Sequence, residues 1–154
     1  ARTRRLERTF QPSTVAREVL AQAPTMTWLV ITEPWCGDSA QNLPVVLALA
    51  PYAPSIAVRI ALRDDGSKLI ERYLTNGTQS IPKLVAFDGQ GRELFTWGPR
   101  PQSAMGLFSA NKAKPENERL DKDQLAEQLH RWYHENGGQA TEHELLELVR
   151  RVST

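Results

Sequence analysis

The sequence predicts one α/β domain with a central mixed sheet, helices on its faces, and extra helices at both ends. Short apolar strands alternate with segments of helical periodicity, and a hairpin follows them. The chain has 154 residues, of which 40% are hydrophobic, which suits a single core. Parallel strands joined by helices place ligands at the carboxyl ends of the strands, so the site is expected there.

The first predicted elements are a helix, a strand and a second helix. Residues Arg2 to Leu20 form an arm that ends in a helix over Ser13 to Ala21, with Ser13 as its cap. The apolar run Thr27 to Thr32 is too short for a buried helix and is typical of a strand covered on both faces. The next helix has apolar residues at helical spacing, namely Leu43, Val46, Leu47 and Ala50.

The middle of the chain predicts a strand, a helix and a hairpin. Ile56 to Ala61 is the strand, and Gly66 to Leu74 is expected to be helical and to end at Asn76-Gly77. The hairpin consists of the strands Ile81 to Phe87 and Glu93 to Trp97, joined by Asp88-Gly89-Gln90-Gly91.

The C-terminal third predicts a loop and two helices. Asn111 to Arg119 is polar and is expected to be a loop. Lys122 to Glu135 is a helix with Leu125, Leu129 and Trp132 on one face, ended by Asn136-Gly137-Gly138. Thr141 to Glu144 has the pattern of a capping box for a last helix.

The only cysteine of the chain, Cys36, lies where the first strand gives way to a helix. Unpaired N–H groups and the macrodipole at a helix start favour an anion, which lowers a thiol pKa and increases the reactive thiolate. The carboxylate of Asp38, two residues away, disfavours a second negative charge. We therefore expect a lowered pKa for Cys36, but less lowered than a neutral or basic neighbour would give.

Four features in register resemble the thioredoxin family. The turn Trp35-Cys36-Gly37-Asp38-Ser39-Ala40-Gln41 resembles a branch whose motif is Trp-Cys-Gly-Asp-x-Ala-Gln. Pro44 lies where thioredoxins kink their active-site helix. Ile81-Pro82, before an apolar strand, resembles the cis-proline that faces the cysteine in this family. Gly98 then has the spacing of the family's glycine beside the active site.

The resemblance implies a thioredoxin-like three-layer α/β/α fold. Its core is expected over residues 27–98, with an N-terminal helical arm at 1–24 and a C-terminal helical extension at 99–154. The chain departs from the family at two positions: Ser39 replaces the second cysteine, and Val30 replaces a buried acid that relays protons to that cysteine. The two absences agree, because without a second thiol the acid has nothing to deprotonate.

The leading hypothesis is a monothiol protein in which Cys36 attacks a disulfide or accepts a low-molecular-weight thiol. The Ser39 hydroxyl can donate to the thiolate but cannot resolve a mixed disulfide, so an external thiol is needed. By the resemblance, the substrate surface comprises Trp35, Gly37, Asp38, Ile81, Pro82 and Gly98. Lys83 and Arg100 lie beside that surface, where a cation would offset Asp38 and attract acidic substrates, although both could equally be ordinary solvated charges.

Three alternatives for the site remain open. The groove could bind an extended peptide without covalent chemistry, Cys36 could be a sensor that oxidises to a sulfenic acid, or the cysteine could be a small buried hydrophobe. No cofactor is expected: glutathione is considered only as the external thiol. An iron–sulfur cluster, as in monothiol glutaredoxins, is disfavoured because Asp38 replaces their aromatic residue. His130 and His134 share a helix face but lack further ligands, so no metal site is expected.

Composition limits the classes of partner. Lys and Arg total 19 against 18 acids, and this net charge of +1 gives no argument for nucleic acid or anionic membranes. No apolar stretch approaches a membrane span or a secretory signal. A single cysteine suits a reducing compartment, so a cytoplasmic location is expected. The expected partner is a protein disulfide or a small thiol, while the oligomeric state is left open.

Overall fold

The computed structural model describes residues 9–153, so the first eight residues of the predicted arm lie outside the described range. Its helices and strands in chain order are α1 (Thr14–Ala21), β1 (Met26–Thr32), α2 (Gly37–Leu49), β2 (Ile56–Leu62), β3 (Lys83–Asp88), β4 (Glu93–Trp97), α3 (Gln102–Ala113), α4 (Lys122–Asn136) and α5 (Gln139–Val152). Short 3-10 helices lie at Ala50–Tyr52, Leu69–Arg72 and Glu116–Glu118.

The sheet is mixed, as the sequence predicts, and its strand order is β2-β1-β3-β4. β1 pairs with β2 in parallel, while β3 runs antiparallel to β1 and to β4. Thr32 at the end of β1 therefore lies opposite Leu62, and Ile31 lies opposite Lys83 at the start of β3. This register brings the segment after β1 and the segment before β3 to the same edge of the sheet.

Packing divides between the two faces of the sheet. Successive residues of β1 point to opposite faces. Trp28 and Val30 belong to the main core, where residues of α1, α2 and α5 also pack. Ile31 faces the other way and packs with Ile70 and Ile81 in a smaller cluster. The smaller cluster lies directly behind the edge that carries Cys36, which is packed against it.

The predicted helix over Gly66 to Leu74 is wrong, since only the 3-10 turn Leu69–Arg72 forms there. Lys68 adopts a left-handed conformation with φ of 57°, which interrupts a helix. Asp65 Oδ1 accepts from the backbone N–H of Ser67 at 2.8 Å. Such local side-chain bonds compete with helical ones, and they win in this short polar segment.

The predicted loop over Asn111 to Arg119 is also wrong in part, because α3 continues to Ala113 and a 3-10 turn follows. The Asn111 side chain accepts from the N–H of Leu120 at 2.8 Å and donates to its carbonyl at 3.3 Å. The polar residues that suggested a loop thus form the end of a helix and fasten the segment that follows it.

The capping box predicted at Thr141 to Glu144 is wrong, since α5 begins at Gln139 with Gly138 as its N-cap, and Asn136 Oδ1 accepts from the N–H of Ala140 at 3.0 Å. Thr141 Oγ1 instead donates to Asn42 Oδ1 at 2.7 Å. Glu142 Oε1 accepts from the Ser13 N–H at 2.8 Å and from its hydroxyl at 2.9 Å. These residues therefore join α5 to α2 and to the start of α1 instead of capping their own helix.

Two helix ends match the sequence prediction. Ser13 is the N-cap of α1 and accepts from the N–H of Ala16 at 3.1 Å. α4 ends at Gly137, whose φ of 63° is the left-handed conformation that glycine adopts readily at a helix end. A capping box does occur in the chain, at the start of α4, where Asp121 and Gln124 bond to each other's backbone N–H.

Candidate functional site

Cys36 is the N-cap residue of α2, at the strand-to-helix turn where the sequence places it. Its carbonyl accepts the first helical hydrogen bond from the N–H of Ala40 at 3.1 Å. The thiol is half-buried, and Sγ donates to the carbonyl oxygen of Ile81 at 3.5 Å. The cysteine thus lies at the positive end of a helix and in contact with the segment before β3.

Ile81-Pro82 is a cis peptide bond, as the resemblance implied, and both residues are buried. Gly98 lies against it from β4: its φ is +115°, and a Cβ built there would come within 2.2 Å of the Pro82 carbonyl oxygen. Only glycine fits so close to another backbone. The structure therefore brings Cys36, Ile81, Pro82 and Gly98 together. Trp35 beside them is 65% exposed, so an apolar ring is available for contact.

Ser39 is buried in the first turn of α2, on the side of Thr32. Its Oγ accepts from Thr32 Oγ1 at 2.6 Å, and no hydrogen bond joins it to Cys36 within residues 9–153. The hydroxyl that occupies the second-cysteine position thus fastens the helix to the end of β1 in this state of the thiol.

The Asp38 carboxylate is held by two groups from the C-terminal extension. Its Oδ1 accepts from Arg100 Nε at 2.9 Å and from the Tyr133 hydroxyl at 3.0 Å. Both side chains of the ion pair are largely buried, with 25% of Arg100 and 15% of Asp38 exposed. The guanidinium also lies 4.3 Å from the ring centroid of Phe108 in α3.

This polar cluster continues into the helices behind α2. Asn42 Nδ2 donates to the Tyr133 hydroxyl at 3.0 Å and to the Asp38 carbonyl at 2.9 Å, and its Oδ1 accepts from Thr141. Burial raises the pKa of Tyr133 strongly, and the negative charge of Asp38 adds to that increase. Tyr133 therefore stays a neutral hydroxyl that can donate to Asp38 across the physiological pH range.

Lys83 is 7% exposed, and its Nζ donates to Thr75 Oγ1 at 3.0 Å. Burial lowers the pKa of this ammonium group, and the charge of Glu93 offsets part of the effect. Lys83 lines a cavity of about 500 Å³ together with Trp97, Gly98 and Arg100. Its side-chain hydrogen bond thus joins Lys83 to the turn at Thr75, and no hydrogen bond within residues 9–153 joins it to Cys36.

Arg63 is a site residue that the sequence analysis missed. Its Cζ lies 5.0 Å from the ring centroid of Trp35, and a further nitrogen donates to the Gln79 carbonyl at 3.2 Å. The guanidinium bonds to both carboxylate oxygens of Asp64, at 3.0 and 3.1 Å. The hydrogen bond to Asp64 is the main cause of a raised pKa for Arg63, to which the charges of Asp64, Glu33 and Cys36 contribute.

The position of Arg63 could have been inferred from the strand topology. Arg63 directly follows β2, and the carboxyl ends of parallel strands lie at the same edge of a sheet. The end of β1 carries the turn to Cys36, so side chains just beyond β2 should reach that turn. The position could have been inferred from the parallel pairing, although its partners could not.

An apolar cavity of about 340 Å³ lies on another side of α2, next to the active-site turn. Its wall includes Pro34, Leu43, Leu47, Ile60 and Leu62. Leu47, Ile60 and Leu62 are 47%, 49% and 45% exposed, so apolar surface extends from the thiol region towards the edge strand β2.

The described part of the chain contains neither a cluster of metal ligands nor a helix suited to a membrane. Between residues 9 and 153, no group of three or more His, Cys, Asp or Glu side chains is placed to hold a metal ion. Over the same residues, no helix has the length and apolar character to cross a membrane.

Comparisons with known proteins concern the fold and the family. No curated protein matches the chain in sequence. A Pseudomonas aeruginosa protein of unknown function is 18% identical with a TM-score of 0.69, covering 98% of this chain and 81% of its own. An HIV epitope scaffold is 17% identical with a TM-score of 0.67, covering 97% of this chain and 82% of its own.

A thioredoxin from Fasciola hepatica is 18% identical with a TM-score of 0.43, over 62% of this chain and 89% of its own. A family model described as thioredoxin matches residues 1–119, which is well over half of the sequence. The chain therefore belongs to the thioredoxin family.

Proposed function

We propose that this chain is a monothiol member of the family, of the Trp-Cys-Gly-Asp-x-Ala-Gln branch, and exchanges disulfides through Cys36. The observation that carries the proposal is the position of the thiol: Cys36 caps α2, and its Sγ contacts the Ile81 carbonyl beside the cis Ile81-Pro82 bond. A helix N-terminus stabilises a thiolate, which is the nucleophile in disulfide exchange.

The chemistry is a pair of exchange reactions. The Cys36 thiolate attacks one sulfur of a substrate disulfide, forms a mixed disulfide with it, and releases the other sulfur as a thiolate. Ser39 has no sulfur with which to displace the bound substrate. An external thiolate, with glutathione as the first choice, attacks the substrate sulfur of the mixed disulfide and restores Cys36. The two exchanges thus transfer the bound substrate sulfur from Cys36 to the external thiol.

The substrate would lie across the surface formed by Trp35, Ile81, Pro82 and Gly98. The exposed Trp35 ring offers an apolar contact, and the backbone next to Pro82 offers pairing to an extended segment. Arg63 supports this surface, because it contacts both the Trp35 ring and the Gln79 carbonyl. A reducing compartment such as the cytoplasm fits a chain that has a single thiol.

A redox-inert peptide-binding module is the second candidate, and one observation favours it. Sγ acts as a hydrogen-bond donor to the Ile81 carbonyl, which requires the thiol to be protonated. A thiolate at the same place would face the negative end of that carbonyl dipole. The exchange reaction therefore needs the substrate, or a small movement of the thiol, to replace this contact.

Mass spectrometry of the intact protein tests the exchange. Oxidised glutathione should add one glutathione to the protein, and reduced glutathione should remove it; Cys36→Ser should show neither reaction. Ser39→Cys supplies the missing second sulfur, so its adduct should release glutathione without added thiol. If the wild-type protein forms no adduct over a range of pH while remaining folded, the peptide-binding candidate is favoured. An adduct with sulfenic-acid reagents alone would indicate a sensor.

A further inference from the structure

The carboxylate of Asp38 raises a question about charge next to the thiol. It lies in the first turn of α2, two residues after Cys36, where the sequence alone predicts that it opposes a thiolate. In the structure, Arg100 Nε and the Tyr133 hydroxyl both bond to the same oxygen, Oδ1. The charge of Asp38 is thus compensated by a cation and oriented by a neutral donor.

Both donors come from beyond residues 27–98, the core region that the resemblance implies. Arg100 follows β4, and Tyr133 lies in α4. Their positions are fixed by further contacts, since Arg100 packs on the Phe108 ring and Tyr133 accepts from Asn42. α4 therefore reaches the first turn of the active-site helix through one hydroxyl.

Other charged groups surround this pair. His130 of α4 shares a cavity of about 160 Å³ with Asp38 and Tyr133. On the other side, Arg63 lies close enough to both Glu33 and Cys36 for its charge to interact with theirs. Arg63 is bonded to Asp64, so its charge is also largely compensated. Asp38 is the acidic group on the thiol's own helix turn, and Arg100 is the cation bonded to it.

We propose that Arg100 and Tyr133 are positioning residues that compensate and orient the Asp38 carboxylate, so that the C-terminal extension sets the reactivity of the thiol. The biological role of this arrangement rests on the proposed function. The effect of the Asp38 and Arg100 charges on the ionisation of Cys36 does not depend on disulfide exchange. Without Arg100, a half-buried carboxylate would remain uncompensated two residues from the thiolate. A like charge at that distance disfavours ionisation of the second group.

The rate of Cys36 alkylation by iodoacetamide, measured against pH, tests the proposal, because this uncharged reagent reacts with the thiolate. Arg100→Gln should move the midpoint of the pH profile upwards by about half a unit, which is about a threefold lower rate below the midpoint. Tyr133→Phe should move it in the same direction by less. Asp38→Asn should move it downwards, since Arg100 is then an uncompensated cation.

Rescue separates this effect from a structural one. The double variant Asp38→Asn/Arg100→Gln lacks both charges and should return towards the wild-type midpoint, and Arg100→Lys, which keeps the charge, should stay near it. Arg92→Gln is the matched control, because it removes an arginine paired with Asp88 on the exposed hairpin. Its midpoint should not move.

An unchanged midpoint in both Arg100→Gln and Asp38→Asn overturns the proposal, as does a double variant that retains the shift of Arg100→Gln. If Arg100→Gln does not fold, the downward shift in Asp38→Asn decides alone. Failure of the proposed function would look different. Alkylation would then follow these shifts while oxidised glutathione still formed no adduct.

Discussion

Replacing Gly98 with alanine should destabilise the protein and displace the segment that faces Cys36. Two costs add at this position. The φ of +115° is strained for any residue with a Cβ, which costs about 1–3 kcal/mol. The new Cβ would also lie 2.2 Å from the Pro82 carbonyl oxygen and 3.2 Å from the Pro82 carbonyl carbon. Both are backbone atoms, so β3 or β4 must shift, at a further cost of about 1–3 kcal/mol.

Gly77→Ala is the matched control for the strain. Gly77 also has a positive φ, of +78°, but no atom lies within 4 Å of a Cβ built there. Denaturant unfolding should give a loss of about 1 kcal/mol for Gly77→Ala and at least 1 kcal/mol more for Gly98→Ala. The alkylation rate of Cys36 should change only in Gly98→Ala. Equal losses for the two variants would refute the close approach between Gly98 and Pro82.

Three further predictions concern stability. Gly106→Ala, inside α3 with no atom within 4 Å of the added Cβ, should raise the unfolding free energy by about 0.5–1 kcal/mol, and a lower melting temperature would contradict this. Burial disfavours the charged ammonium group of Lys83, so its pKa lies below the unfolded value. The contribution of Lys83 to stability is therefore most favourable above pH 10.5 and is lost as the pH falls through the folded pKa. Lys83→Met should therefore stabilise the protein at pH 7 but not near pH 11. A variant that is less stable than wild type at both pH values would show that the lost bond to Thr75 outweighs the burial effect. The pKa of Tyr133 is raised, mainly by burial, so its contribution is present below pH 10 and is lost as the pH rises further. Tyr133→Phe should lower the free energy of unfolding by about 1 kcal/mol at pH 7. Between pH 10 and 11 the variant should lose less stability than wild type, and parallel pH profiles would count against a raised pKa for Tyr133.

Local sequence patterns were enough to predict the strands of the sheet, and the family resemblance indicated which residues lie around Cys36. The four strands are short runs rich in apolar and β-branched residues, and the two central strands β1 and β3 are largely buried. Cys36 was inferred from the strand-to-helix boundary, Pro82 and Gly98 were implied by the resemblance to thioredoxins, and the structure brings the three together. A glycine is required at position 98 because the Pro82 backbone leaves no room for a side chain there, so the residue type itself marks the position.

Polar residues were misjudged where their partners are distant in sequence. Thr141 and Glu142 have the spacing of a capping box, yet they bond to Asn42 and Ser13. The same side chain can satisfy a local N–H or a group on another helix, and helix packing decides between them. The helix prediction for Gly66 to Leu74 was wrong for the opposite reason. Polar side chains of this segment bond to its own backbone N–H groups, and the predicted helix does not form.

The charges around Cys36 show why a local electrostatic argument was incomplete. Asp38 is next to the thiol in sequence, but Arg100, sixty-two residues away, bonds to it. Asp64 is likewise bonded to Arg63, at the end of β2. The Asp38 charge is therefore compensated by Arg100, and Arg63, whose own charge interacts with Cys36, is paired with Asp64. If the proposal for Arg100 holds, the N-terminus of α2 acts on Cys36 with less opposition from Asp38 than the sequence alone implies.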